Sequence, residues 1–320
     1  MENKAAKSHW NKTMDIINKF KSGIGLIGLV IALSFASDYF LTTHNLINVA
    51  RQVSINAILA LGMTFVILTG GIDLSVGSVL ALSAAVTGGL LSGGSSVIIA
   101  IIGGILVGTL LGLLNGLMVA KADMPAFIVT LGMMTIARGL TLIYSGGRPI
   151  SGFDKTFRFI GSGYLASIPI PVIIMALALL IAYIILTKVP YGRYVYAIGG
   201  NEEAAKLSGI NTDVVKTGVY AISGFLAAVS GVILTARLNS AQPTAGSGYE
   251  LDAIAAVVLG GTSLAGGQGG IIGTIIGALI IGVLNNGLNL LNVSSFYQLV
   301  AKGAVILIAV FLDRRSQQNK

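Results

Sequence analysis

The stretch SSVIIAIIGGILVGTLLGLLNGLMVA, residues 95–120, holds no charged side chain. As a helix it exceeds the ~20 residues that cross ~30 Å of hydrocarbon. The rest of the chain repeats the pattern. Of 320 residues, 54% are hydrophobic and 10% are charged, and the mean hydropathy is +0.88. Soluble domains carry about 25% charged residues. One core cannot hide this much apolar surface, whereas lipid demands no polar cover. Glycine, at 43 residues, stands near twice its usual share of about 7%. Small residues let helix backbones approach closely, and packing is the main force between helices in a bilayer. The expected fold class is all-α and integral to the membrane.

Outward from 95–120, about ten apolar segments can be placed: 22–41, 54–72, 74–92, 95–120, 125–145, 167–187, 217–237, 251–265, 270–290 and 295–312. The eighth is short and broken by glycine. The softest boundaries are the joints at Gly70-Gly71, Gly93-Gly94 and Gly266 to Gly270. The chain then divides into an N-terminal tail (1–21), a transmembrane domain (22–313) with a polar loop at 188–216, and a C-terminal tail (314–320). The leader carries Glu2 and Asp15 and is long for a signal peptide, so the first span is expected to stay as an anchor. Basic residues favour the cytoplasmic side. With the N-terminus inside, thirteen Lys and Arg fall on inner segments and five on outer loops, with Arg138 and Lys302 inside apparent spans. Both termini and the 188–216 loop are therefore expected in the cytoplasm. A weak internal repeat pairs GTLLG (108–112), followed by LNGL, with GTIIG (273–277), followed by LNNGL. The copies fall five spans apart, which reverses their orientation and marks an inverted repeat.

The polar loop contains GGNEEAAKLSGI, residues 199–210. Asn201 is a helix cap and Glu202 and Glu203 suit the positive end of the helix dipole. Ala204, Ala205, Lys206 and Leu207 favour helix, and Gly209 can end it in a left-handed conformation. A helix of about two turns is marginal alone and needs a surface to pack on.

Little else suggests chemistry. No G-x-x-x-x-G-K-[ST] run binds ATP, no catalytic triad or carboxylate pair stands out, and no cysteine is present. His9 and His44 form no metal cluster, so neither metal nor cofactor is expected. The net charge of +8 is spread thinly over ends and loops, which does not indicate nucleic acid. All twelve acids map to span ends or loops, against proton coupling. Asp73, between glycines in GGIDLSVGS, is expected to cap the third span or to gate. Arg138 and Lys302 are expected to snorkel to an interface or to face a water-filled path. Asn115, Asn285, Asn286 and Asn289 are interhelical glue or line the same path.

The Glu203-Ala204-Ala205…Gly209 pattern resembles the cytoplasmic EAA loop of bacterial ABC-importer permeases. GGIDLSVGSVLAL (70–82), RLNSAQPTAGSGYELDAIAAVVLGGTSLAGG (237–267) and LNNGLNLL (284–291) resemble the monosaccharide-importer permeases, over about residues 40–313. This resemblance implies a permease of about ten helices with an inverted repeat, working with a second copy of itself and a separate ATPase chain. Residues 201–206 and Gly209 would couple to that ATPase. An external sugar-binding protein would dock on outer charges, here Arg148, Lys155, Arg158, Glu250 and Asp252. The implied cargo is a monosaccharide, ribose foremost, then other pentoses, hexoses or furanose-like signals.

Overall fold

The computed structural model describes residues 22–318. The expected tail 1–21 lies outside them. Each expected apolar segment coincides with a helix: α1 (Ser22–Ala36), α2 (Thr43–Leu68), α3 (Val76–Ser92), α4 (Val97–Ala120) and α5 (Ala126–Ser145), then α7 (Ile170–Lys188), α10 (Thr212–Leu238), α11 (Tyr249–Leu259), α12 (Ile271–Leu290) and α13 (Ser295–Gln318). Among the described residues, six of these (α2, α4, α5, α7, α10 and α12) are long and apolar enough to cross a membrane. α1 and α3 are shorter apolar helices. α13 runs through Arg314 and Arg315, where a tail was expected.

Three short helices complete the set: α6 (Lys155–Ser162), α8 (Pro190–Gly200) and α9 (Glu202–Leu207). Two small antiparallel ladders join loops at the end of the molecule remote from α9. β1 (Ile150–Ser151) pairs with β4 (Ser240–Ala241), and β2 (Tyr164–Leu165) pairs with β3 (Ile168–Pro169).

α2 begins well before the hydropathy reading placed it. The Thr42 side chain caps it by accepting from the Asn45 backbone N–H at 3.3 Å. Asn45 in its first turn is buried and bonded to the Phe40 carbonyl and to Asn286, which apolarity alone cannot show. α2 and α10 are buried along most of their length and form the centre, whereas α4, α5 and α7 turn most of their apolar surface outward.

Glycine sets the tightest seam. Gly108, Gly112 and Gly116 recur every fourth residue on one face of α4 and meet the α10 backbone near Gly224, Tyr220 and Thr217. A Cβ at Gly112 would overlap the Tyr220 carbonyl, and one at Gly224 the Gly108 carbonyl. The packing is paired. α2 contacts α10, α11 and α12, while α10 contacts α2, α3 and α4; α3 touches α4 and α5 as α11 touches α12 and α13.

Both central helices are followed by a break. Residues 69–75 lead from α2 into α3, and residues 239–248 lead from α10 into α11. The second break meets the start of α3: a Cβ on Gly77 would overlap the Gly246 carbonyl, and the reverse also holds. The first turns of α3 and α11 are thereby brought together.

Gly112→Ala is expected to force α4 from α10 and lower stability by about 1–3 kcal/mol. Gly132→Ala on α5, where a Cβ would meet nothing within 4 Å, is expected to be neutral or slightly stabilising. Thermal unfolding of the two detergent-purified variants checks this.

Candidate functional site

At the α9 end, the sequence-expected helix is present. Asn201 Oδ1 accepts from the Ala204 N–H at 2.9 Å, and Gly209 takes φ +84° just past the helix end. One face is docked: Ala205 is buried, and both Glu202 oxygens accept from Lys216 Nζ at 3.1 Å. Lys206 Nζ lies 3.4 Å from Glu202. Partial burial pushes the Glu202 carboxyl up, but the bonds and charges of Lys216 and Lys206 outweigh it and hold it below the usual carboxylate range. The other face is free. Glu203 is exposed, and Leu207 is 90% exposed, an apolar side chain offered to solvent. Beneath α9, the Gly267 N–H donates to the Leu68 carbonyl at 3.0 Å, and Gly199 is pressed against the same carbonyl. A cleft of about 270 Å³, lined by Thr69, Gly71, Asp123, Glu202, Lys216 and Tyr220, opens beside it.

The first break is held by Asp73, which is 1% exposed. Its Oδ1 accepts from the Ser75 N–H at 2.9 Å and the Ser75 hydroxyl at 2.6 Å; its Oδ2 accepts from the Ser223 hydroxyl of α10 at 2.8 Å. Asn115 of α4 donates to Ser75 Oγ at 2.9 Å. The break is thus tied to α10 through the carboxylate and to α4 through Ser75. The expected cap is not formed: Ser75 is the N-cap residue of α3, no side chain caps that helix, and Asp73 instead accepts from Ser75 itself and from α10. Ser75, Ser223 and Tyr220 were not foreseen, since nothing local distinguishes them from other small polar residues.

The second break is held by Arg138. Its Nη1 donates to the carbonyls of Pro243 at 2.6 Å and Ala245 at 2.9 Å. It therefore does not snorkel; it clamps the segment before α11. Glu250 is half-buried, with Oε1 accepting from the Gly248 N–H at 3.2 Å. Gly248, at φ +82°, precedes the first residue of α11.

The placement of Asp252 on an outer loop is corrected. It lies in the first turn of α11, is 3% exposed, and accepts from Lys302 Nζ of α13 at 2.9 Å and from Asn285 Nδ2 of α12 at 3.4 Å. Asp252 does lie at a span end, but it is not the solvated loop charge expected, and Lys302 turns inward to it instead of snorkelling, the first of its two expected placements. α11 starts inside the helical bundle, so its first-turn acid is enclosed. Asn286 exchanges reciprocal bonds with Asn45 of α2, at 3.0 and 2.8 Å, and so acts as interhelical glue. Neither Asn285 nor Asn286 is on an open surface.

Of the charges expected on a docking surface, Arg148, Lys155 and Arg158 are exposed, at the end opposite α9. The α6 helix that carries two of them is anchored by the buried Phe157 and by Gly161, which meets the Arg237 backbone. Glu250 and Asp252 do not share that surface.

Residues 45–310 match the model of a family described as branched-chain amino acid transport system / permease component. The chain belongs to this permease family. The permease is also similar to curated ribose import permease proteins named RbsC. It is 55% identical to that of Bacillus subtilis (strain 168) over 98% of both chains. It is 54% identical to that of Haemophilus influenzae over 92% of both, and 52% identical to that of Escherichia coli K12 over 93% of this chain and 94% of the relative. No solved structure matches it. Membership makes the permease a multi-pass component of a transporter and not itself a catalyst, in keeping with its apolar helices.

Asp73→Ala is expected to strand the Ser75 and Ser223 hydroxyls and cost about 1–3 kcal/mol per orphaned group. Asp73→Asn, which keeps an acceptor, is expected to cost clearly less. Thermal unfolding in nanodiscs measures both.

Proposed function

We propose that the permease is the membrane-spanning subunit of an ATP-driven importer of ribose, working as two copies with a separate ATPase and an external binding protein. The observation that carries the reading is the 55% identity over 98% of both chains to a ribose import permease. Both termini and α9 lie in the cytoplasm, supported by the thirteen-to-five excess of Lys and Arg on that side. About ten helices cross or enter the membrane, in two inverted halves. The paired packing supports this, as does VILT, which ends α2 (66–69) and recurs near the end of α10 (232–235). Its spacing agrees within one residue with that between GTLLG and GTIIG.

In this reading α9 is the ATPase-coupling element. Asn201, Glu202, Ala204, Ala205 and Lys206 build and anchor it, Gly209 ends it, and Glu203 and Leu207 present its free face. Arg148, Lys155 and Arg158 offer a basic surface to the binding protein outside. Asp73, Arg138, Asn285 and Asn286 hold the walls of the path by fixing the helix breaks and the α2–α12 and α11–α12 contacts. The outward apolar faces of α4, α5 and α7 meet lipid or the second copy.

Proteoliposomes holding the permease, its ATPase and the binding protein are expected to accumulate ribose only with ATP. Glu203→Lys with Gly209→Pro reverses a charge on the free face and forbids the positive φ that ends α9. Uptake is expected to fall at least about fivefold while ATP hydrolysis persists. Uptake at the wild-type rate by the double variant overturns the coupling role, and uptake by the permease alone overturns the ATP-driven reading.

A further inference from the structure

Around Asp252, two buried acceptors lack donors. Asp252 Oδ1 and Asn285 Oδ1 have no hydrogen-bond partner among the described residues, though both side chains are more than nine-tenths buried. The remaining carboxylate oxygen is occupied by Lys302 and by the Asn285 amide N–H. That second bond fixes the amide orientation. Turning it over would set Asn285 Oδ1 against a carboxylate oxygen, so the free atom of Asn285 is an acceptor. An orphaned buried acceptor is destabilising, because its lost hydration is not replaced. Two of them on directly bonded side chains are an expensive feature for a structural tie, and an apolar contact would avoid it.

The third member of the cluster sets its access. The Lys302 side chain is 25% exposed, and an ammonium offers three donors, of which Asp252 takes one. An ammonium within an apolar helix faces water or a polar partner, not lipid tails. Lys302 lies about 10 Å along α13 from its start, and Asn285 about 8 Å from the end of α12. With the N-terminus inside, both ends are at the outer membrane surface. With that orientation the cluster sits in the outer half of the membrane, with Lys302 at its partly exposed edge.

We propose that Asp252, Asn285 and Lys302 form a low-affinity station for a polyhydroxyl solute in the outer half of the translocation path. Two neighbouring hydroxyls donate to Asp252 Oδ1 and Asn285 Oδ1, and Lys302 donates to a ring or hydroxyl oxygen. A vicinal diol on a monosaccharide has this chemistry: each hydroxyl both donates and accepts. Two acceptors and one shared ammonium give few contacts, so binding is weak, in about the millimolar range. Weak binding suits a site that must release its occupant inward. The proposal deepens the ribose-import reading and rests on it for the orientation and for the solute.

Saturation-transfer NMR of ribose with the permease alone in nanodiscs tests the site without the ATPase or binding protein. The wild type is expected to transfer saturation to ribose at millimolar concentration. Asn285→Leu removes one acceptor. Asp252→Asn with Lys302→Gln removes the charge pair together, so that no buried charge is left alone. Each is expected to weaken binding roughly fivefold or more. If one variant does not fold, the other still decides. No transfer with the wild type, or wild-type transfer in a folded variant, overturns the station. Uptake by the full complex is measured in parallel. Ribose uptake without saturation transfer defeats the station and leaves the importer standing, whereas a complex that ignores ribose defeats the importer reading separately.

Discussion

Hydrocarbon supplies no hydrogen bonds, so every polar group that enters the membrane must be satisfied from within the chain. The two breaks after α2 and α10 take irregular backbone and charge into the bundle. They are closed by a few side chains: Asp73 through Ser75 and Ser223, and Arg138 through the Pro243 and Ala245 carbonyls. Each break is tied by an ionisable residue: an acid within the first break that accepts from hydroxyls, and a base on α5 that donates to carbonyls of the second. The glycine seam between α4 and α10 then brings the backbones close enough for these short side chains to reach. If the ties are removed, the close packing has nothing to register it.

Much of the fold was legible because apolar length is a strong signal. Residues 97–120 or 170–188 have no alternative to a membrane-length helix. The signal failed where a helix begins with polar residues, as α2 does from Thr43, because hydropathy cannot see that Asn45 is paired with Asn286 some 240 positions away. It also failed for α8, although Pro190 at its first position is a favoured helix start. The α9 helix was readable because caps and glycine stops are local. The buried ion pair was not. Asp252 follows a glycine-rich loop and looked solvated; only the tertiary placement of α11 beside α12 and α13 encloses it. Sequence identifies polar residues inside apolar runs, but not whether they serve as glue, clamp or station.

These elements form a column through the molecule. At one end α9 is bound to α10 through Glu202 and Lys216. One and two turns farther along α10 come Tyr220, packed on Gly71, and Ser223, bonded to Asp73. The first break therefore hangs on the same helix face that holds α9, and the second break abuts the start of α3, just past the first, at Gly77 and Gly246. Movement imposed on α9 has a continuous packed connection to both breaks, and the rigid glycine seam limits how α10 can yield.

The side of the membrane that holds α9 decides which face meets the ATPase. With the native chain free of cysteine, Ser208→Cys and Arg158→Cys give single, exposed labelling positions at opposite ends. A membrane-impermeant thiol reagent is expected to label the Arg158→Cys protein in intact cells and the Ser208→Cys protein only after permeabilisation. Labelling of Ser208→Cys from outside intact cells, with Arg158→Cys protected, would contradict the orientation and, with it, the assignment of α9 to the ATPase and of the Asp252 cluster to the outer path.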